Sequence, residues 1–65
     1  MWTVIYMAQN GSVAQKLKEV LEKEGILVKL RPINREVGKE ETGFEVLVPE
    51  SEVSEAHSII IETGF

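Results

Sequence analysis

The sequence predicts an α+β domain: a ferredoxin-like split β-α-β-β-α fold that lacks the fourth strand. Its expected sheet is three-stranded, antiparallel or mixed, in the order 1-3-2, with two helices on one face. Three observations lead there. Met1 to Met7 is strand-like, an amphipathic helical stretch follows, and two further strand-like segments precede a second helical one. A strand–helix–strand unit crosses over right-handed and leaves a slot between its strands. The third strand fills that slot, and Pro32 then falls on an edge, where a missing amide donor costs no pairing. A meander, order 1-2-3, is the alternative.

The first strand is apolar on both sides. Strict alternation puts Trp2, Val4 and Tyr6 on one face and Ile5 and Met7 on the other. A sheet with one wet face should instead alternate polar with apolar residues. Two helices can cover only one side of a small sheet. The remaining apolar face, or the vacant edge beside strand one, is therefore expected to meet another copy of the chain. Trp2, Val4, Tyr6 and Leu47 are the candidate interface residues.

Ala8-Gln9-Asn10-Gly11 reads as a turn, and Ser12 as the start of the first helix, with Gln15 as a capping-box partner. The helix is expected over residues 13 to 24. Val13, Leu17, Val20 and Leu21 form its apolar stripe, widened by Ala14, while Lys18–Glu22 and Glu19–Lys23 are spaced for ion pairs. Gly25 suits the left-handed position that ends a helix. Residues 26 to 31 read as the second strand, with Ile26, Val28 and Leu30 facing the core and Lys29 and Arg31 facing away. Residues 33 to 43 are polar, carry two glycines and read as a hairpin arm or loop. In the third strand, Phe44, Val46 and Val48 alternate with Glu45 and Leu47, and Pro49 stops it. Ser51 is the expected cap of the second helix, whose stripe is Val53, Ala56, Ile60 and Ile61. Gly64 ends that helix and lets Phe65 fold back on it.

With 65 residues the chain makes one domain, 1–65, and a core this small buries only ~60% of the unfolded surface. Such scaffolds usually need disulfides, a metal or a partner subunit. There is no cysteine and one histidine, so self-association is the support that remains. Net charge is −4, and every one of the eleven acids is glutamate. That balance argues against nucleic acid as a partner, which would call for a basic patch. An RNA-binding platform of Trp2 and Tyr6 is disfavoured for the same reason. No apolar run is long enough for a membrane span and no export segment is evident, so the expected location is the cytoplasm.

The inventory for chemistry is thin. His57 has no aspartate to orient it and reads as a boundary residue packing on the sheet rim. Glu40, Glu41, Glu50, Glu52 and Glu55 lack the spacing of a calcium loop and read as a solvated face. Arg31 and Arg35 read as solubilising residues near the arm. The best candidate for a ligand is the turn Asn10, Gly11, Ser12, which leads from a strand into a helix N-terminus; one glycine is no phosphate signature. No catalytic residue, cofactor or metal is expected. The functional expectation is a non-enzymatic, homodimeric regulatory or protein-interaction module, with another protein as a second partner. The alternative is a sensor of an amino acid or nucleotide at the strand 1–helix 1 turn, near a subunit interface.

The opening aromatic strand, the helix Ala14-Gln15-Lys16-Leu17-Lys18-Glu19-Val20-Leu21-Glu22-Lys23-Glu24-Gly25-Ile26, and Val46-Leu47-Val48-Pro49-Glu50 followed by Ala56 resemble a family of small bacterial proteins. That family is grouped under signal transduction and has no assigned function. The resemblance spans nearly the whole chain and brings no catalytic residues with it. The topology is also similar to that of amino-acid-sensing regulatory domains, which add a fourth strand. What the resemblance implies is a bacterial regulatory protein.

Overall fold

A computed structural model describes residues 1–33 and 43–65. The elements are β1 (Trp2–Ala8), α1 (Gly11–Lys23), β2 (Lys29–Pro32), β3 (Phe44–Pro49), a single 3-10 turn (Glu50–Glu52) and α2 (Val53–Thr63). The three-stranded sheet has the order β1-β3-β2, with β3 antiparallel to both neighbours. The expected α+β class and 1-3-2 order are both present. Nearly all of the arm expected over 33–43 lies outside the described residues. At its base, Ile33 donates to the Gly43 carbonyl at 2.8 Å, one step beyond the β2–β3 ladder.

Both helices pack on the same sheet face. Leu17, Leu21 and Ala14 of α1 and Ala56 of α2 form one buried cluster with Val46 and Val48 of β3. Leu17, Leu21, Val46 and Val48 are its largest fully buried side chains. Ile5, Tyr6, Leu30, Phe44, Val53, Ile59 and Ile60 close its margin.

Helix ends explain several departures from expectation. Asn10, not Ser12, caps α1: its side-chain oxygen accepts from the Val13 amide at 3.0 Å. The helix therefore begins at Gly11, where the Phe44 ring lies 3.4 Å from the position a Cβ would take. At the other end Gly25 has φ 84°, with Gly25 donating to Glu22 and Ile26 to Leu21, the two bonds of a Schellman ending. This is why β2 starts at Lys29 and not at Ile26. The Ile26 amide is spent on the helix, and its side chain is buried as the apolar cap contact. Of the expected helix pairs, Lys18–Glu22 closes at 3.3 Å.

Ser51 does not cap α2. Pro49 leads into the 3-10 turn, and the residue preceding α2 is Glu52, with no side-chain capping bond. The buried stripe also differs from the expected one, although Val53 and Ala56 keep their places in it. Ile59 and Ile60 pack on the core, whereas Ile61 is 78% exposed. Gly64 adopts the left-handed conformation (φ 82°), and the amides of Gly64 and Phe65 both reach the Ile60 carbonyl.

Candidate functional site

The register of β1 against β3 decides which side chains share the helix-free face. Val4 pairs with Leu47 and Tyr6 with Val46, so Ile5 is an extra residue and the strand carries a β-bulge. Paired residues in a ladder project to the same side. Before the bulge Thr3 sits opposite Val48, and after it Tyr6 opposite Val46 and Ala8 opposite Phe44, all on the helix side. The other side takes Trp2 opposite Pro49, Val4 opposite Leu47 and Met7 opposite Glu45.

The expected grouping of Trp2, Val4 and Tyr6 is thereby corrected. Tyr6 belongs to the covered face, where its hydroxyl donates to the Phe65 carbonyl at 3.1 Å. Met7 takes its place on the open one. The bulge inserts one residue and so reverses the alternation for everything after it. An apolar strand reads the same whether it is buried on both faces or bulged. Its structural trace is that the adjacent residues Ile5 and Tyr6 both pack against the core.

On β2, Lys29 aligns with Leu47 and Arg31 with Glu45. The open face is therefore a small grid. One row holds Trp2 and Pro49, the next Val4, Leu47 and Lys29, and the last Met7, Glu45 and Arg31. Trp2 is 42% and Met7 58% exposed, yet Leu47 at the centre is only 4% exposed. The Lys29 ammonium lies 5.5 Å from the Trp2 ring centroid, so indole and lysine stem approach each other across the central strand. Arg31 directs both Nε and Nη2 at one Glu45 carboxylate oxygen, each at 2.6 Å. This leaves Trp2, Val4 and Met7 as an apolar band along β1 with Leu47 beside it, and the charges on Glu45 of β3 and on Lys29 and Arg31 of β2.

Among the described residues neither edge of the sheet offers a long regular row of free backbone groups. β1 is interrupted by its bulge, and β2 has four residues and ends in Pro32. Bulges, prolines, short strands and charged side chains are the usual means by which edges are kept from pairing.

Of the candidate turn Asn10, Gly11 and Ser12, only Asn10 lies between β1 and α1, as the cap, while Gly11 and Ser12 are the first residues of the helix. The Asn10 side chain is engaged in the cap, and the space above Gly11 holds the Phe44 ring. Ser12 is exposed. His57 is also exposed, on α2, rather than packed on the sheet rim. Among the described residues no group of three or more acidic, histidine or cysteine side chains is placed to hold a metal. Glu40, Glu41 and Arg35 lie outside them. A shallow cleft of about 340 Å³ runs between the α1–β2 and β3–α2 connections, lined by Gly25, Leu27, Pro49, Ser51 and Glu52. Among the described residues no helix is long and apolar enough to cross a membrane. Comparison with protein families, with curated proteins and with solved structures finds no match to this chain.

Proposed function

We propose that the protein is a non-enzymatic regulatory module that works as a homodimer, with the open sheet face as its interface. One observation carries the reading: among the described residues, Trp2, Val4 and Met7 stand exposed around Leu47 on the sheet face opposite the two helices. The bulge in β1 and Pro32 in β2 favour association through this face over sheet extension. A second copy suits it because Val4 and Leu47 are apolar and can meet their own counterparts.

Size sets the strength. Strands ~4.8 Å apart and ~3.3 Å per residue give a face of roughly 15 by 20 Å, about 300 Å² per copy. Stable interfaces bury ~800 Å² per partner, so the dimer is reversible and follows concentration. A regulatory role accords with such an association and with the resemblance to small bacterial proteins grouped under signal transduction. The cytoplasm is its proposed location, and another protein using the same face is its proposed second partner.

Sedimentation velocity over a range from micromolar to millimolar tests the dimer. Wild-type protein should shift from monomer to dimer across that range. Val4→Glu, which places a charge in the middle of the band, should stay monomeric with an unchanged far-UV spectrum. A wild-type chain that remains monomeric throughout would overturn the proposal.

A further inference from the structure

The cleft between the α1–β2 and β3–α2 connections has a chemistry of its own. Its volume, about 340 Å³, is at the lower end of the range for small-molecule sites. The β2–β3 ladder ends at the pair Lys29–Leu47, and Leu27 and Pro49 stand beyond that end as apolar walls. Leu27 is 68% exposed, so most of its surface is free for a bound molecule to cover. Ser51 and Glu52 supply the polar side. Both belong to the 3-10 turn, which is anchored by the Glu50 amide donating to the Met1 carbonyl at 2.8 Å.

Two opposed charges meet here, and their sizes decide which ligand the cleft takes. The start of α2 has no side-chain cap, and its leading amides carry the equivalent of about half a positive charge. The Glu52 carboxylate carries a full negative one, and Glu50 and Glu55 add to it from the same turns. The sum is negative. Among the described residues Glu52 has no ion-pair partner, the pairs formed there being Lys18–Glu22 and Arg31–Glu45.

We infer that the cleft binds a small aliphatic amine in its ammonium form. The ammonium meets the Glu52 carboxylate and the Ser51 hydroxyl, and the alkyl chain lies on Leu27 and Pro49. The assignment does not depend on the proposed dimer, because Trp2, Val4, Met7 and Leu47 do not line the cleft.

Hexylammonium chloride and sodium hexanoate, titrated separately into isotope-labelled protein at constant ionic strength, test this through the amide chemical shifts. The amine should move the Gly25, Leu27, Ser51 and Glu52 signals along saturable curves, and hexanoate should leave them in place. Ethylammonium, with the same charge and a shorter chain, should bind more weakly. Glu52→Gln should weaken hexylammonium binding roughly fivefold, the upper end for a partly exposed ion pair. Leu27→Ala should weaken it roughly fourfold, the equivalent of one buried methylene. Neither side chain holds the fold together, since Glu52 makes no capping bond and Leu27 is exposed. Hexanoate shifting the same amides as strongly would mean an anion site at the helix start and would overturn the inference. Shifts rising linearly over the whole acidic surface, or centred on Trp2, Val4 and Met7, would overturn it as well. So would undiminished binding by Glu52→Gln, or no response to the amine.

Discussion

The Tyr6 hydroxyl donates to the Phe65 main-chain carbonyl at 3.1 Å, and the two rings meet edge to face with centroids 6.3 Å apart. This contact ties the first strand to the last residue across the rim of the core. It exists only because the bulge at Ile5 turns Tyr6 to the helix side. Tyr6→Phe keeps the ring and removes the hydroxyl, so it should cost about 0.5–1.5 kcal/mol, the net worth of one hydrogen bond. For a domain this small, a loss of 1 kcal/mol lowers the melting temperature by about 4–8 °C. Thermal unfolding followed by circular dichroism measures it. An unchanged melting temperature would mean that the hydroxyl is equally well satisfied by water.

Two neighbouring polar residues compete for the role of cap on α1, and substitution separates them. Asn10 Oδ1 takes the Val13 amide at 3.0 Å, while Ser12 lies within the first turn, exposed. Asn10→Ala should therefore cost ~1 kcal/mol, within the usual range for a lost cap. Ser12→Ala should change stability by less than about 0.5 kcal/mol, as at other exposed helical positions. Urea titration of both variants checks the contrast; equal losses would contradict the geometry.

These two cases show where the sequence was legible. Spacing placed α1 and β3, because Leu17, Leu21, Val46 and Val48 recur at the periods of helix and strand, and the handedness of the crossover placed the strand order. Pro32 located the edge and Gly25 and Gly64 the helix ends, each through its backbone chemistry. What spacing could not resolve were choices among chemically similar neighbours. Asn10 and Ser12 can both cap a helix, and in the structure Asn10 takes the role. The candidate face suffered most. One inserted residue in β1 exchanges Tyr6 for Met7, and an unbroken apolar run carries no mark of the insertion. Leu47, Lys29 and Arg31 were readable because β3 and β2 are regular.

The stripe of α2 offers a sharper contrast between adjacent isoleucines. Ile59 packs on the core and Ile61 is 78% exposed, although both stand among apolar neighbours in the sequence. Ile59→Ala should cost about 1–2 kcal/mol, the transfer free energy of a partly buried side chain. Ile61→Ala should be nearly neutral, within about 0.5 kcal/mol. The measurement is the denaturation midpoint of each variant. A larger loss at Ile61 would mean that α2 is rotated about its axis, placing the stripe where helical spacing from Val53 first suggested.

The Trp2–Lys29 approach over the central strand should be measurable in the monomer. Such contacts at exposed sites are worth ~0.5–1 kcal/mol. In a double-mutant cycle of Trp2→Leu and Lys29→Met, run on dilute protein, the coupling should be about 0.5 kcal/mol. Replacement of the lysine should also shift the emission of Trp2, the only tryptophan in the chain, because a cation no longer lies near its ring. Zero coupling with an unshifted spectrum would mean that Lys29 is solvated away from the indole. In that case Leu47 would need another cover, and its low exposure would point to the flanking Val4 instead.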